Sequence, residues 1–182
     1  NMGKYAVKDI YLRITEARTT LVFVNTRAQA ELIFQHLWSE NSQLLPIAIY
    51  HGSLSKEQRL KTAAMMASGS LRAIVATSAL ELGVDWGNVD LVIQVGAPKG
   101  VSRLLQRIGR SNHTMDEPSQ ALLVPANRFE ALECQSAIDA IKCNQLDGDE
   151  PLSGALDVLP QFIINCLCSE AAAEEQIYRQ IV

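Results

Sequence analysis

Four times along the chain a short apolar run leads into a helix-start signature. Residues 20–25 (TLVFVN) precede Thr26-x-x-Gln29, residues 47–50 precede Ser55-x-x-Gln58, residues 74–76 precede Ser78-x-x-Glu81, and residues 121–124 precede Asn127-x-x-Glu130. A hydroxyl or amide side chain followed three residues later by Gln or Glu satisfies orphan backbone donors at a helix N-terminus. Runs of Val, Ile, Leu and Ala this short read as strands buried on both faces. A further apolar run at residues 89–95 completes the set. Strands alternating with helices at such intervals predict an α/β fold, a parallel sheet with right-handed crossovers and helices on both faces.

The helices carry expected inward faces: Ala30, Ile33, Phe34 and Leu37; then Leu60, Ala63, Ala64 and Ala67 with Gly69 as the stop; then Val101, Leu104, Leu105 and Ile108; then Ala131, Cys134, Ile138 and Ile141. Residues 1–19 show no firm period and read as a leader or connecting helix. A polar linker with Gly148, Pro151 and Gly154 marks a boundary, so one domain is expected over 20–147 and a second, helical segment over 148–182. The start Asn1-Met2-Gly3 reads as a cloning junction and the chain as an excised piece of a longer protein.

Charge narrows the class. The net charge of -4 hides an uneven distribution: residues 1–127 hold 13 Lys/Arg against 10 Asp/Glu, residues 128–182 hold 3 against 10. A mildly basic front part is thus followed by an acidic tail. No run approaches the ~18 apolar residues of a membrane span, and no signal peptide is read. Cys134, Cys143, Cys166 and Cys168 form no C-x-x-C pair and the three histidines are scattered. No metal site is expected, and reduced, packed thiols in a cytoplasmic protein are.

Two constellations point to chemistry. Arg103, Gln106, Arg107 and Arg110 fall at helical spacing opposite the apolar face of residues 101–111, with Lys99 and His113 at the ends, and no Asp or Glu occurs from 91 to 115. Guanidinium forks without nearby carboxylates suit phosphate, although a basic helix face can also be merely solvated. The second is the turn Thr77-Ser78-x-x-Glu81-x-Gly83-x-Asp85, at a strand carboxyl end, where parallel sheets gather ligands. It reads either as a capped surface turn or as half of a nucleotide and nucleic-acid site.

The stretch ATSALELGVD at residues 76–85 resembles motif V of superfamily 2 helicases, and QRIGRSNH at 106–113 resembles their motif VI, in the family's order and at a family-like spacing. Asn25-Thr26-Arg27 is similar to motif IV, and His51-Gly52-Ser53-Leu54-Ser55 to the H-G-S-L-S segment between motifs IV and V. From the residues alone Asn25 and Thr26 could equally be plain caps, and His51 a packed strand-end residue. GALDVLPQFIINCLCSE at 154–170 looks like the opening of the winged-helix domain that follows the second RecA-like domain in Lhr-type helicases. SNH, DEPSQALLVPANRFEALEC and GALDVL most resemble the ligase-associated DEXH-box branch, bacterial enzymes linked to DNA repair.

The resemblance implies a second RecA-like lobe. No G-x-x-x-x-G-K-[ST] loop and no DEAH-type sequence after a strand is present, so ATP and Mg²⁺ would be held mainly by a first RecA-like domain in cis, and the chain alone would be inactive. By likeness, Arg110 is the arginine finger, supported by Gln106 and Arg107. Gly83, Asp85 and His113 would meet the nucleotide. Asn25, Thr26, Arg27, His51, Gly52, Ser53, Thr77 and Ser78 would contact the backbone of single-stranded DNA or a DNA-containing duplex. Ligase and nuclease partners are implied by the branch. His113 stands where most of the superfamily has Arg, and Asn112 where Gly is commoner. Two other readings stay open: a nucleic-acid-binding module with no part in hydrolysis, and an α/β interaction domain with an anion patch.

Overall fold

The structure is a computed structural model that describes residues 6–78, 89–111, 118–148, 158–169, 171 and 173–181. Strands β1 (Thr20–Phe23), β2 (Ile47–Tyr50), β3 (Ala73–Ala76), β4 (Leu91–Val95) and β5 (Ala121–Val124) form one sheet in the order β2-β3-β1-β4-β5. All four pairings are parallel. The sheet is the doubly wound arrangement expected, with β1 at its centre.

Period-two alternation along the strands divides two cores. Val22, Val24, Val75, Ile93 and Val95 face helices α1 (Val7–Glu16) and α2 (Arg27–Glu40), where Ile10, Ile14, Ile33 and Leu37 pack. Leu21, Phe23, Ile74, Ala76 and Val92 face the other way, onto Met66 of α3 (Lys56–Ala67). Each such side chain removed from water contributes about 1.5–3 kcal/mol. Helix α4 (Val101–Ile108) lies on the α3 face, its Arg107 over the Phe23 ring, and α5 (Arg128–Lys142) adjoins it.

Three of the four predicted caps form, and the fourth, Ser78 with Glu81, extends outside the described residues. Thr26 Oγ1 accepts from Gln29 N at 3.2 Å, and Gln29 Oε1 accepts from Thr26 N at 3.1 Å. Ser55 and Gln58 make the same reciprocal pair. Asn127 Oδ1 accepts from the Phe129 and Glu130 amides. Each cap is worth about 1 kcal/mol. Gly69, at φ +67, follows the C-cap of α3 in a left-handed conformation that a side chain would strain.

Two expectations are corrected. Residues 7–16 form a helix that belongs to the core, with Val7, Ile10 and Ile14 buried at i, i+3 and i+7. Helix α3 turns a shifted face inward: Ala63 packs as expected, but Met66 is 2% exposed while Leu60 is 61% exposed and Ala64 and Ala67 are exposed. Residues 63–67 are apolar without a break, so periodicity could not choose among them; the sheet did.

The chain divides into two units, Asn1–Asp147 and Gly148–Val182. The second contains α6 (Val158–Ser169) and α7 (Glu174–Ile181), with Ile177 buried and Cys166 Sγ 3.8 Å from Gln180 Oε1.

Candidate nucleotide and nucleic-acid interface

The register aligns Tyr50, Ala76 and Phe23 across β2, β3 and β1. At about 4.8 Å per strand, their carboxyl ends share a rim roughly 10 Å wide. Two backbone bonds continue the ladder past the strands, Thr77 N to Tyr50 O at 3.3 Å and Val24 N to Ala76 O at 2.9 Å. His51, Thr77 and Val24 therefore follow side by side, with Asn25 and Ser78 one residue further on. Thr26, Arg27, Gly52, Ser53 and Ser78 are exposed, Asn25 and Thr77 half-buried, and His51 buried at 4%. The eight residues named from motifs IV and V and the H-G-S segment thus sit on three neighbouring strand ends. A Cβ on Gly52 would meet no atom within 4 Å, so the backbone there is open to approach.

Several of these groups already have work to do. The Asn25 Nδ2 donates to Ala97 O at 2.8 Å, across to the turn after β4, while its Oδ1 is buried without a hydrogen-bond partner. Thr26 Oγ1 serves as the cap, which leaves its O–H as a donor. Arg27 Nε donates to Glu31 Oε1 at 2.8 Å, one turn along α2. That hydrogen bond, with the Arg27 charge, holds the Glu31 carboxyl below its ordinary range, against a small opposing effect of burial and with some help from His51. His51 Nε2 lies 3.7 Å from the same Oε1, and its Nδ1 has no hydrogen-bond partner. Glu31 was missed from sequence, although the Arg-x-x-x-Glu spacing is the signal for an i,i+4 pair.

The helix of the arginine stripe is built differently from the pattern. Its first turn is capped from 45 residues away: Asp147 Oδ2 accepts from Ser102 N and Asp147 O from Ser102 Oγ, both at 3.0 Å. A carboxylate at a helix N-terminus satisfies an orphan amide and complements the dipole. Leu104 is buried, and Arg103 and Gln106 are exposed as expected, with Arg110 half-buried. Arg107 departs from the expected exposed stripe. It is 3% exposed, its guanidinium 4.9 Å above the Phe23 ring centroid and donating to Gln94 Oε1. Gln94 is fully buried, and its Nε2 donates to Val95 O at 3.1 Å and Gly96 O at 3.2 Å. A cation is tolerated there because an aromatic face and a satisfied amide replace its water.

Beyond the helix the chain is pinned. Arg110 N donates to Arg107 O at 3.0 Å. Buried Ser111 accepts from Gln120 N through Oγ at 3.0 Å and from Ser119 Oγ through its carbonyl at 2.9 Å. Arg110 therefore stands on a turn fixed to the strand-entry segment of β5. Gly83, Asp85 and His113 lie outside the described residues. Among the described residues no cluster of His, Cys, Asp or Glu could hold a metal. A groove of about 700 Å³ beside Arg18, Asp90 and Gln120 lies at the amino ends of the strands, away from the rim.

Residues 4–114 match the family model of the helicase conserved C-terminal domain. The chain belongs to that family. This helicase C-terminal domain is 35% identical over 168 residues to the ATP-dependent helicase Lhr-Core of Methanocaldococcus jannaschii, covering 92% of the chain and 20% of that protein. The Mycobacterium smegmatis helicase Lhr, in a structure bound to ssDNA and AMP-PNP, matches with a TM-score of 0.75 at 38% identity over 86% of this chain and 21% of that one. Helicase MrfA bound to DNA matches at TM-score 0.68 and 18% identity, over 87% and 23% of the two chains, a likeness of fold. The helicase C-terminal domain is the RecA-like one of an Lhr-type superfamily 2 helicase. It spans about a fifth of the length of these Lhr relatives.

Proposed function

We propose that this chain is the second motor lobe of an ATP-dependent DNA helicase or translocase of the Lhr type. A first RecA-like lobe in cis binds ATP, and closure of the cleft brings Arg110 to the γ-phosphate as an arginine finger, with Gln106 beside it. The finger neutralises charge that develops in the transition state. Gly83, Asp85 and His113 complete the nucleotide side. Mg²⁺, which the family likeness implies, would be held mainly by the first lobe; among the described residues no cluster of His, Cys, Asp or Glu could hold a metal.

The observation that carries the reading is the rim: Arg27, Gly52, Ser53 and Ser78, all exposed, on three adjacent strand ends of one parallel sheet. Such a row offers backbone amides, hydroxyls and a guanidinium to successive phosphates of a single strand, with Thr26 and Thr77 as further hydroxyl donors. Asn25, bonded to Ala97 O, holds the rim in shape, and His51 is buried at its β2 end. The ssDNA and AMP-PNP in the M. smegmatis Lhr structure support the same pair of ligands for this chain. Opening and closing of the two lobes then moves the rim along the strand. A DNA-repair setting in the cytoplasm, with ligase and nuclease partners, is what the ligase-associated likeness of residues 111–113, 116–134 and 154–159 supports.

The test is Arg110→Ala in the full-length protein. ATP turnover falls by about 10³-fold or more while affinity for single-stranded DNA is kept. Loss of strand affinity with turnover intact would instead identify a binding module without a part in hydrolysis.

A further inference from the structure

A residue outside both proposed surfaces joins them. On the rim side, Asn25 Nδ2 holds Ala97 O. On the helix side, Arg107 donates to Gln94 Oε1. Between them Gln94 Nε2 holds the carbonyls of Val95 and Gly96. One amide thus grips α4 by its oxygen and the β4–α4 turn by its nitrogen. Gln94 stands in an otherwise apolar strand, LVIQV, and is fully buried. Burying an amide there is costly unless every polar atom is paired, and a Leu or Val would avoid that cost.

The turn between the two grips has little slack. Gly96 has φ +85, and a Cβ on it would lie 3.1 Å from Asn25 Nδ2. A shift of Asn25 is therefore passed to residues 95–97, whose carbonyls at 95 and 96 Gln94 holds. Arg107, the other end of the chain of bonds, carries the turn on which Arg110 stands.

We propose that Gln94 is a positioning residue that couples strand occupancy at the rim to the orientation of α4 and its Arg110 turn. This inference rests on the motor-lobe reading, and its test separates the two. ATP turnover of the full-length protein is measured with and without saturating single-stranded DNA. Gln94→Glu keeps the acceptor for Arg107 and deletes the donor to the two carbonyls; Gln94→Met removes both. With the coupling in place, Gln94→Glu keeps basal turnover and the KM for ATP within about twofold. Its strand-stimulated ratio falls by about fivefold or more.

If Gln94 only satisfies the buried Arg107, Gln94→Glu is stimulated like the parent and Gln94→Met alone loses thermal stability; that result overturns the proposal. Should neither variant fold, Asn25→Asp reads the same bonds from the other end: at saturating strand the ratio again falls by about fivefold, and an unchanged ratio overturns the coupling. A parent protein with no strand-stimulated turnover would sink the motor reading itself, and the coupling with it.

Discussion

Arg27 and Glu31 face each other across one turn of α2, Nε to Oε1 at 2.8 Å, on the rim where a phosphate would arrive. Both side chains are about half exposed, so the pair adds little to stability. Its consequence is for binding, because Glu31 competes with any anion for the same guanidinium.

Glu31→Ala releases Arg27, and strand affinity in the full-length protein rises by about threefold, with Tm shifted only slightly, as for a surface pair. Arg27→Ala has the opposite effect and lowers the slope of log K against log salt by about 0.7, one phosphate contact. Fluorescence anisotropy across a salt series reads both. Equal slopes in parent and Arg27→Ala would remove Arg27 from the interface.

The Glu31 carboxyl titrates below the ordinary glutamate range because Arg27 bonds to its ionised form. A folded-state pKa that is lowered stabilises above the unfolded value, and the gain disappears as pH falls through the lowered one. Carboxyl-detected NMR shows this depressed midpoint, and Arg27→Ala returns it upward. A midpoint unmoved by that substitution would contradict the pairing in solution.

Gly96→Ala costs about 1–2 kcal/mol in denaturant unfolding, since the left-handed φ is strained for a side chain. The methyl would also press on Asn25. Gly52→Ala meets open space and leaves stability within about 0.5 kcal/mol, while weakening strand binding if the backbone there approaches phosphate. A destabilised Gly52→Ala with normal binding would reverse these assignments.

Burial, then the charges of Glu130 and Glu133, push the Cys134 thiol up. Less thiolate forms at any alkaline pH, so Cys134 alkylates later than the exposed Cys143 and Cys168. Mass-spectrometric mapping of iodoacetamide adducts at about pH 8 gives the order. Early modification of Cys134 would mean that α5 opens readily.

All five strands were legible because each is an apolar run closed by punctuation that physics makes visible: Thr26, Ser55 and Asn127 cap the helices that follow. The position of His51, Thr77 and Asn25 at strand carboxyl ends was legible too, since a parallel sheet brings the ends of β2, β3 and β1 to one side. What escaped depended on distant partners. Nothing near Ser102 announces that Asp147 will cap it, and the spacing of Arg107 fits the outer face until Phe23 and Gln94 are placed beneath it. The core role of helix α1 was hidden by Lys8, Asp9, Arg13 and Glu16, which flank three inward residues in a segment too short for its period to stand out.

The central place of β1 in the sheet has a temporal side. Its two neighbours, β3 and β4, are made some 50 and 70 residues later. At ribosomal rates of about 5–20 residues per second, the β3 side of Thr20–Phe23 waits roughly 3 to 11 s for its partner and the β4 side roughly 4 to 14 s. The first strand of this sheet to be made thus gains its second neighbour only with β4, and a nascent chain stalled before Leu91 presents one bare, largely apolar β edge to whatever chaperone or neighbour is at hand.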